Sequence, residues 1–406
     1  MVINHQKSLI FLFYLSNLVV LISPELAYLI IFIYLFLQLF FFNLKLSYIK
    51  NYLKLTYFLF IIFITGFCFS FSNEYLNILR DIFYFSAPII LLSFGYLLAL
   101  RLKMSDLFYH LIVCSVLIVV YQFFNFFILK GFNFQNNIEE FHSNNLFLIP
   151  LALSITLSNL KQANIHFKLY GKLIILTLLI LSLLLTNQRA HYLSFFILIF
   201  SNLGFFTIQN KLSLKKTFIA FTFILISISI YFFNSDQINN NFSNSIKEIT
   251  STSFENNKEV TMYWRAFESY KALELFNQSS TTDQVFGAGF GKTIDLGATF
   301  ELKGADFNSI LVLHNGYLHI LLKTGIIGLT AIVLFYLKII KDNIFVRRND
   351  SEKKTFLKKI ILGMSLILVP ITIVVSGLLN VSGMFGFIII FGFLMKTNDL
   401  LNEKFI

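Results

Sequence analysis

The chain has 406 residues, of which 57% are hydrophobic and 13% charged, with a mean hydropathy of +0.75 and a formal net charge of +11. Soluble globular chains carry about 25% charged residues, so this composition excludes a water-soluble fold and indicates one embedded in a membrane. No aromatic-basic recognition module accompanies the positive charge, which reads as a topology signal, with no nucleic acid among the expected partners.

Apolar runs long enough for a bilayer core begin with SLIFLFYLSNLVVLI and LAYLIIFIYLFLQLFFF and recur along the chain, twelve in all. The run after Lys7 has no small-residue cleavage site behind it and is followed at once by another, so it is expected to be retained. The polar breaks alternate in charge. One set carries Lys45, Lys50 and Lys54; Arg101 and Lys103; Lys161, Lys168 and Lys172; Lys211, Lys215 and Lys216; and the segment KDNIFVRRNDSEKKTFLKK. The other carries Glu25; Glu74, Arg80 and Asp81; and Lys130, Glu139 and Glu140. Short basic loops resist translocation, so both termini are expected on the cytoplasmic side.

The expected fold class is all-α: one polytopic membrane domain over residues 1–406, with about twelve transmembrane helices and one large external loop, 234–308, between the ninth and tenth spans. That loop holds ten acidic and six basic residues. No internal repeat or Pro-rich linker marks a separate soluble domain. Cys68 and Cys114 sit within apolar runs and are expected to be packing residues, without a disulfide. Glu139 and Glu140 are adjacent and would point apart, which suits solvated loop residues better than an acid/base pair.

Four stretches carry possible chemistry. In LTNQRAH, Arg189 lies in a short external connection, where it either snorkels to the interface or presents a guanidinium fork to a lipid-linked phosphate. In MYWRAFESYKALELF, the spacing predicts an amphipathic helix lying at the interface or capping the bundle. Its apolar face is Tyr263, Ala266, Phe267, Tyr270 and Leu273, with Arg265, Glu268 and Lys271 turned away. On spacing alone Arg265 is a surface partner of Glu268 at i+3. VFGAGFGKT resembles a phosphate-binding loop, but that pattern needs glycine where Phe286 stands, and no strand precedes it. It reads as a flexible turn using Gly287, Gly289 and Gly291, in which Lys292 is either solvated or against a phosphate. In HNGYLHILLKTGIIGL, Asn315 is placed to cap a helix, Gly325 and Gly328 to permit close helix approach, and His314 to act either as a structural group or as an acceptor of a hydroxyl proton. No Cys/His/Asp spacing suggests a metal.

In order and topology these pieces resemble the bacterial O-antigen polymerase and O-antigen ligase superfamily. The resemblance rests on TNQRAHYL, YWRAFESYKALELF, VFGAGFG and HNGYLHILLKTGIIGL, and covers roughly residues 175 to 335. It implies a glycan-transferring enzyme of the bacterial inner membrane, with C-type glycosyltransferase architecture, its site facing the periplasm or exterior, and no cofactor. The implied partners are membrane lipid, an undecaprenyl-pyrophosphate-linked glycan donor, a glycan acceptor and a chain-length regulator. Arg189 and Arg265 would neutralise the leaving pyrophosphate, His314 would orient or deprotonate the acceptor hydroxyl, and Asn315 and Lys292 would contact substrate. A polymerase acting on lipid-linked repeat units is the first expectation. A ligase transferring to lipid A core is the alternative, and a twelve-span transporter or flippase the reading from another class.

Overall fold

A computed structural model describes residues 2–41, 46–129, 144–158, 165, 167–186, 188–208, 254, 260, 262–302, 305–347 and 350–403. The predicted ninth span, Lys45, Lys130, Glu139, Glu140, Lys161, Lys211, Lys215 and Lys216, and the first part of the 234–308 loop lie outside these residues.

The chain is mostly helical. The N-terminal half contributes α1 (Val2–Val19), α2 (Pro24–Phe41), α3 (Leu46–Cys68), α4 (Tyr75–Arg101) and α5 (Met104–Phe124), the last prolonged by a π-helical turn, Asn125–Leu129. Then come α6 (Leu148–Ser158), α7 (Leu169–Thr186) and α8 (Arg189–Leu203). The polar segment forms α9 (Trp264–Gln278), α10 (Thr281–Phe286) and an antiparallel hairpin of β1 (Ile294–Leu302) and β2 (Ala305–Ile310). Three long helices close the chain: α11 (Gly316–Ile344), α12 (Glu352–Val375) and α13 (Val381–Glu403). Among the described residues six helices, α4, α5, α7, α11, α12 and α13, are long and apolar enough to cross a membrane. The hairpin departs from the all-α expectation. Ile294 pairs with Ile310 and Phe300 with Phe307, with a register shift between them, a pairing that the glycine and the scattered carboxylates of IDLGATFEL concealed.

The tightest seam joins α4 to α13. A Cβ added at Gly95 would overlap the carbonyl of Ile389, and one at Gly392 the carbonyl of Leu92, so each glycine lets the opposing backbone close in. Lipid offers no hydrophobic force between helices, and close backbone approach supplies the packing instead. Cys114 is buried as expected, whereas Cys68 ends α3 exposed and is not a packing residue.

Contacts between helix ends sort the polar residues into two groups at opposite ends of the bundle. At one end the Gln6 side chain donates to the Arg101 carbonyl at 2.8 Å, and Ile208 bridges Phe345. This end holds Lys103, Lys168, Lys338, Lys341, Arg347, Lys354 and Lys358. Here burial would raise the Asp350 carboxyl, but Lys358, Lys354 and the Arg347 amide outweigh it and hold it at about 2. At the opposite end Asn144 donates to Val20 at 2.8 Å, the Asn145 amide to Ser382 at 2.6 Å and the Ser376 amide to His314 at 2.7 Å. The candidate residues gather at this second end.

Candidate functional site

A second, smaller core seals this end. Phe267 and Ala272 of α9 pack with Ile294, Leu296, Phe300 and Ile310 of the hairpin and with Leu313 and Leu322, with Trp264 and Leu275 against them. Of the two placements expected for the amphipathic helix, capping the bundle is the one found. Its orientation differs from the spacing argument, since Tyr270 and Leu273 are exposed and Glu268 is buried. The helix turns a carboxylate inward because its partners lie there. Trp264 Nε1 donates to Glu268 Oε1, while His314 approaches Oε2 through Nδ1 at 2.8 Å and through its backbone amide at 3.3 Å. Glu268 is thus a buried carboxylate bonded to Trp264 and His314, where the spacing alone suggests a surface residue. The Glu268 side chain is 4% exposed and that of His314 48% exposed, so the imidazole spans buried carboxylate and open surface.

The turn presenting His314 is fixed on both sides. Asn315 caps α11 as predicted, its Oδ1 accepting from the amides of Tyr317 at 3.1 Å and Leu318 at 3.3 Å. From α12, Ser376 sits in the left-handed region with φ of 63°, uncommon for a residue with a Cβ. Its hydroxyl donates to the Leu313 carbonyl at 2.7 Å and its amide to the His314 carbonyl at 2.7 Å, and these bonds offset the strain. The conformation aims the end of α12 at the catalytic candidate.

VFGAGFGKT proves to be a wedge in the bundle and not a flexible turn. Gly287, Gly289 and Gly291 all have positive φ, as their glycine character suggested. Phe290 between them is fully buried, its ring against Phe63 and Phe85 and its amide donating to the Gly66 carbonyl at 2.9 Å. Asn73 donates to the carbonyls of Ala288 at 2.9 Å and Phe290 at 2.8 Å. Gly325 contributes differently from the helix contact expected of it. With φ of 66° and ψ of −166° it kinks α11, and a Cβ there would overlap the Val285 carbonyl.

Behind the wedge lies an ion pair that no local sequence pattern announces. Asp81, grouped with loop residues on sequence, is fully buried in α4. Its Oδ2 accepts from Lys323 Nζ at 2.6 Å and from the Gly291 amide at 2.6 Å, while Lys323 also donates to the Lys292 carbonyl. His319, buried one turn from Asn315, accepts from the Leu313 amide at 3.4 Å and faces Asp81 Oδ1 at 3.9 Å, beyond hydrogen-bond length. The pair therefore ties the loop bearing Lys292 to the helix that begins beside His314. The signal for Lys323 was a charge inside an apolar run, whereas its partner stands 242 residues away and no local pattern names it.

Arg189 opens α8 and is exposed. It belongs to the same end of the bundle, because His191 two residues later packs edge-on against Phe147 at 4.8 Å and the Phe147 amide donates to Gly383 near the start of α13. Arg265 stands half-buried in the first turn of α9, one turn before Glu268. The structure thus joins Arg265, His314 and Asn315 through α9 and the α11 cap, carries Lys292 on the wedge, and brings Arg189 to this end on a separate helix. Among the described residues no three His, Cys, Asp or Glu side chains are placed to hold a metal ion.

Residues 174–333 match the family model of O-antigen ligase. The resemblance to the O-antigen polymerase and ligase superfamily is borne out. The match runs from α7 into α11 and takes in Arg189, Arg265, Glu268, the glycine wedge and His314, while α1 to α6, α12 and α13 lie beyond it. The O-antigen ligase family consists of membrane enzymes acting on glycans, in keeping with the multi-pass helical bundle seen here. No curated protein matches the chain.

Proposed function

We propose that the chain is a membrane glycosyltransferase that polymerises undecaprenyl-pyrophosphate-linked oligosaccharide repeat units into O-antigen or capsule-type polysaccharide. The observation that carries this is His314, half-exposed on the buried Glu268 within the O-antigen ligase match and at the bundle end shared with Arg189 and Arg265. In the reaction the acceptor hydroxyl oxygen attacks the anomeric carbon, and its proton passes to the His314 ring. The bond from that carbon to the pyrophosphate oxygen breaks, and the electron pair leaves with undecaprenyl pyrophosphate. The donor bond already holds the energy, so the main demand is to stabilise leaving-group charge, which suits two preorganised guanidinium groups. Asn315 spends its Oδ1 on the helix cap, which leaves its amide nitrogen for a sugar oxygen. Lys292 offers a further cation from a backbone held in place by Lys323.

On this reading the end holding most of the lysines faces the cytoplasm, together with both termini, and the His314 end faces the periplasm or exterior. The span count is twelve, and the architecture is of the C-type glycosyltransferase kind, with 234–308 as the external loop between the ninth and tenth spans. A chain-length regulator is a fitting partner. Ligation to lipid A core uses the same groups and differs only in acceptor.

Arg189 discriminates phosphate recognition from snorkelling. Lys keeps the charge and the reach but loses the planar two-donor fork. Arg189→Lys is expected to lower transfer by about tenfold or more at unchanged protein level, measured as polymer formed per amount of chain in the membrane. Wild-type transfer would assign Arg189 to snorkelling.

A further inference from the structure

We infer that Glu268 is the positioning residue of the transfer reaction, keeping the His314 ring proton on Nδ1 so that Nε2 meets the acceptor hydroxyl as a free base. The inference rests on reading His314 as the proton acceptor. A buried carboxylate is unfavourable unless donors converge on it. At Glu268 three do: the Trp264 indole on Oε1, and on Oε2 the His314 amide at 3.3 Å and ring Nδ1 at 2.8 Å. Indole and amide N–H groups can only donate, so the carboxylate meets them as an acceptor. Nδ1 then completes the set only by carrying the proton, and a neutral ring so arranged has its lone pair on Nε2.

The rest of the site holds this geometry. Glu268 is 3% exposed and projects from a helix seated on its own apolar core, so the carboxylate does not follow solvent. Ser376 grips the His314 carbonyl from the other side, so the imidazole is held between α9 and α12. With Nδ1 committed to Glu268 and 48% of the side chain exposed, Nε2 is the ring nitrogen left to take a proton. When the hydroxyl proton arrives at Nε2, the resulting imidazolium lies against an anion already in place, and the carboxylate need not gain a proton itself.

The test uses the purified full chain in detergent with a lipid-linked oligosaccharide as substrate. Glu268→Gln keeps the size and the acceptor for Trp264, but its amide can donate to Nδ1 and so place the ring proton on Nε2. It is expected to lower kcat about 100- to 1,000-fold with KM for the donor within about threefold of wild type. Glu268→Asp restores a carboxylate one methylene short and is expected to recover at least about tenfold over Gln. A purely structural glutamate predicts instead that kcat per folded molecule stays near wild type in both variants, and that outcome overturns the inference. Should the Gln variant fail to fold, Glu268→Asp carries the test alone. A kcat reduced about 3- to 100-fold at unchanged KM supports the inference, and wild-type kcat overturns it. A wild-type chain with no transferase activity would remove the reading of His314 and this inference together, whereas an active wild type beside an equally active Glu268→Gln would remove the inference alone.

Discussion

Replacing Lys323 by Met is expected to destabilise the chain by about 3–5 kcal/mol, because it leaves Asp81 charged and buried without its partner. Lys323 and Asp81 meet at 2.6 Å with both side chains almost wholly enclosed, so solvent screens neither. The loss spreads beyond the pair, since Asp81 also holds the Gly291 amide and Lys323 the Lys292 carbonyl. The measurement is the fraction of monodisperse protein surviving a heating series in detergent. Asp81→Asn added to Lys323→Met removes the stranded charge yet keeps an acceptor for Gly291, and is expected to recover more than half of the lost stability. If the single variant survived heating like wild type, the pair would not be holding the wedge.

His314→Ala is expected to lower glycan transfer by about two to four orders of magnitude, the usual cost of removing a general base. The protein should still reach the membrane. Asn315 keeps its cap on α11, and Ser376 bonds the backbone of residues 313 and 314, which Ala also supplies. Glu268 loses its ring contact but keeps the Trp264 indole and the amide of residue 314. Chain-length distribution on a gel, at matched membrane levels, reads the effect. An unchanged distribution would take His314 out of the mechanism and leave Asn315 and the arginines as candidates.

Local signals carried the parts of this molecule that local physics determines. Long apolar runs gave α4, α5, α7, α11, α12 and α13, because a membrane span is a property of one contiguous segment. The Asn315 cap and the three positive-φ glycines of the wedge were likewise legible, since each depends on a few neighbouring residues. What failed was pairing at long range. Glu268 read as a solvated helix residue because its partner His314 lies 46 positions away, and Asp81 read as a loop residue because Lys323 lies 242 away. By apolarity Tyr270 and Leu273 belong on the inward face of α9, yet a buried carboxylate with converging donors outweighs that pattern. The β1–β2 hairpin was hidden for a related reason, as its strands gain stability only against α9.

Reconstitution from defined components decides whether glycan passes between lipid-linked units. Purified chain is incubated with undecaprenyl-pyrophosphate-linked single repeat units as the only glycan, and the products are resolved by size. The expected result is a ladder at multiples of the repeat, with released undecaprenyl pyrophosphate in step with each added unit and no ladder from His314→Ala. A single unextended band from wild-type chain, with no lipid pyrophosphate released, would contradict it.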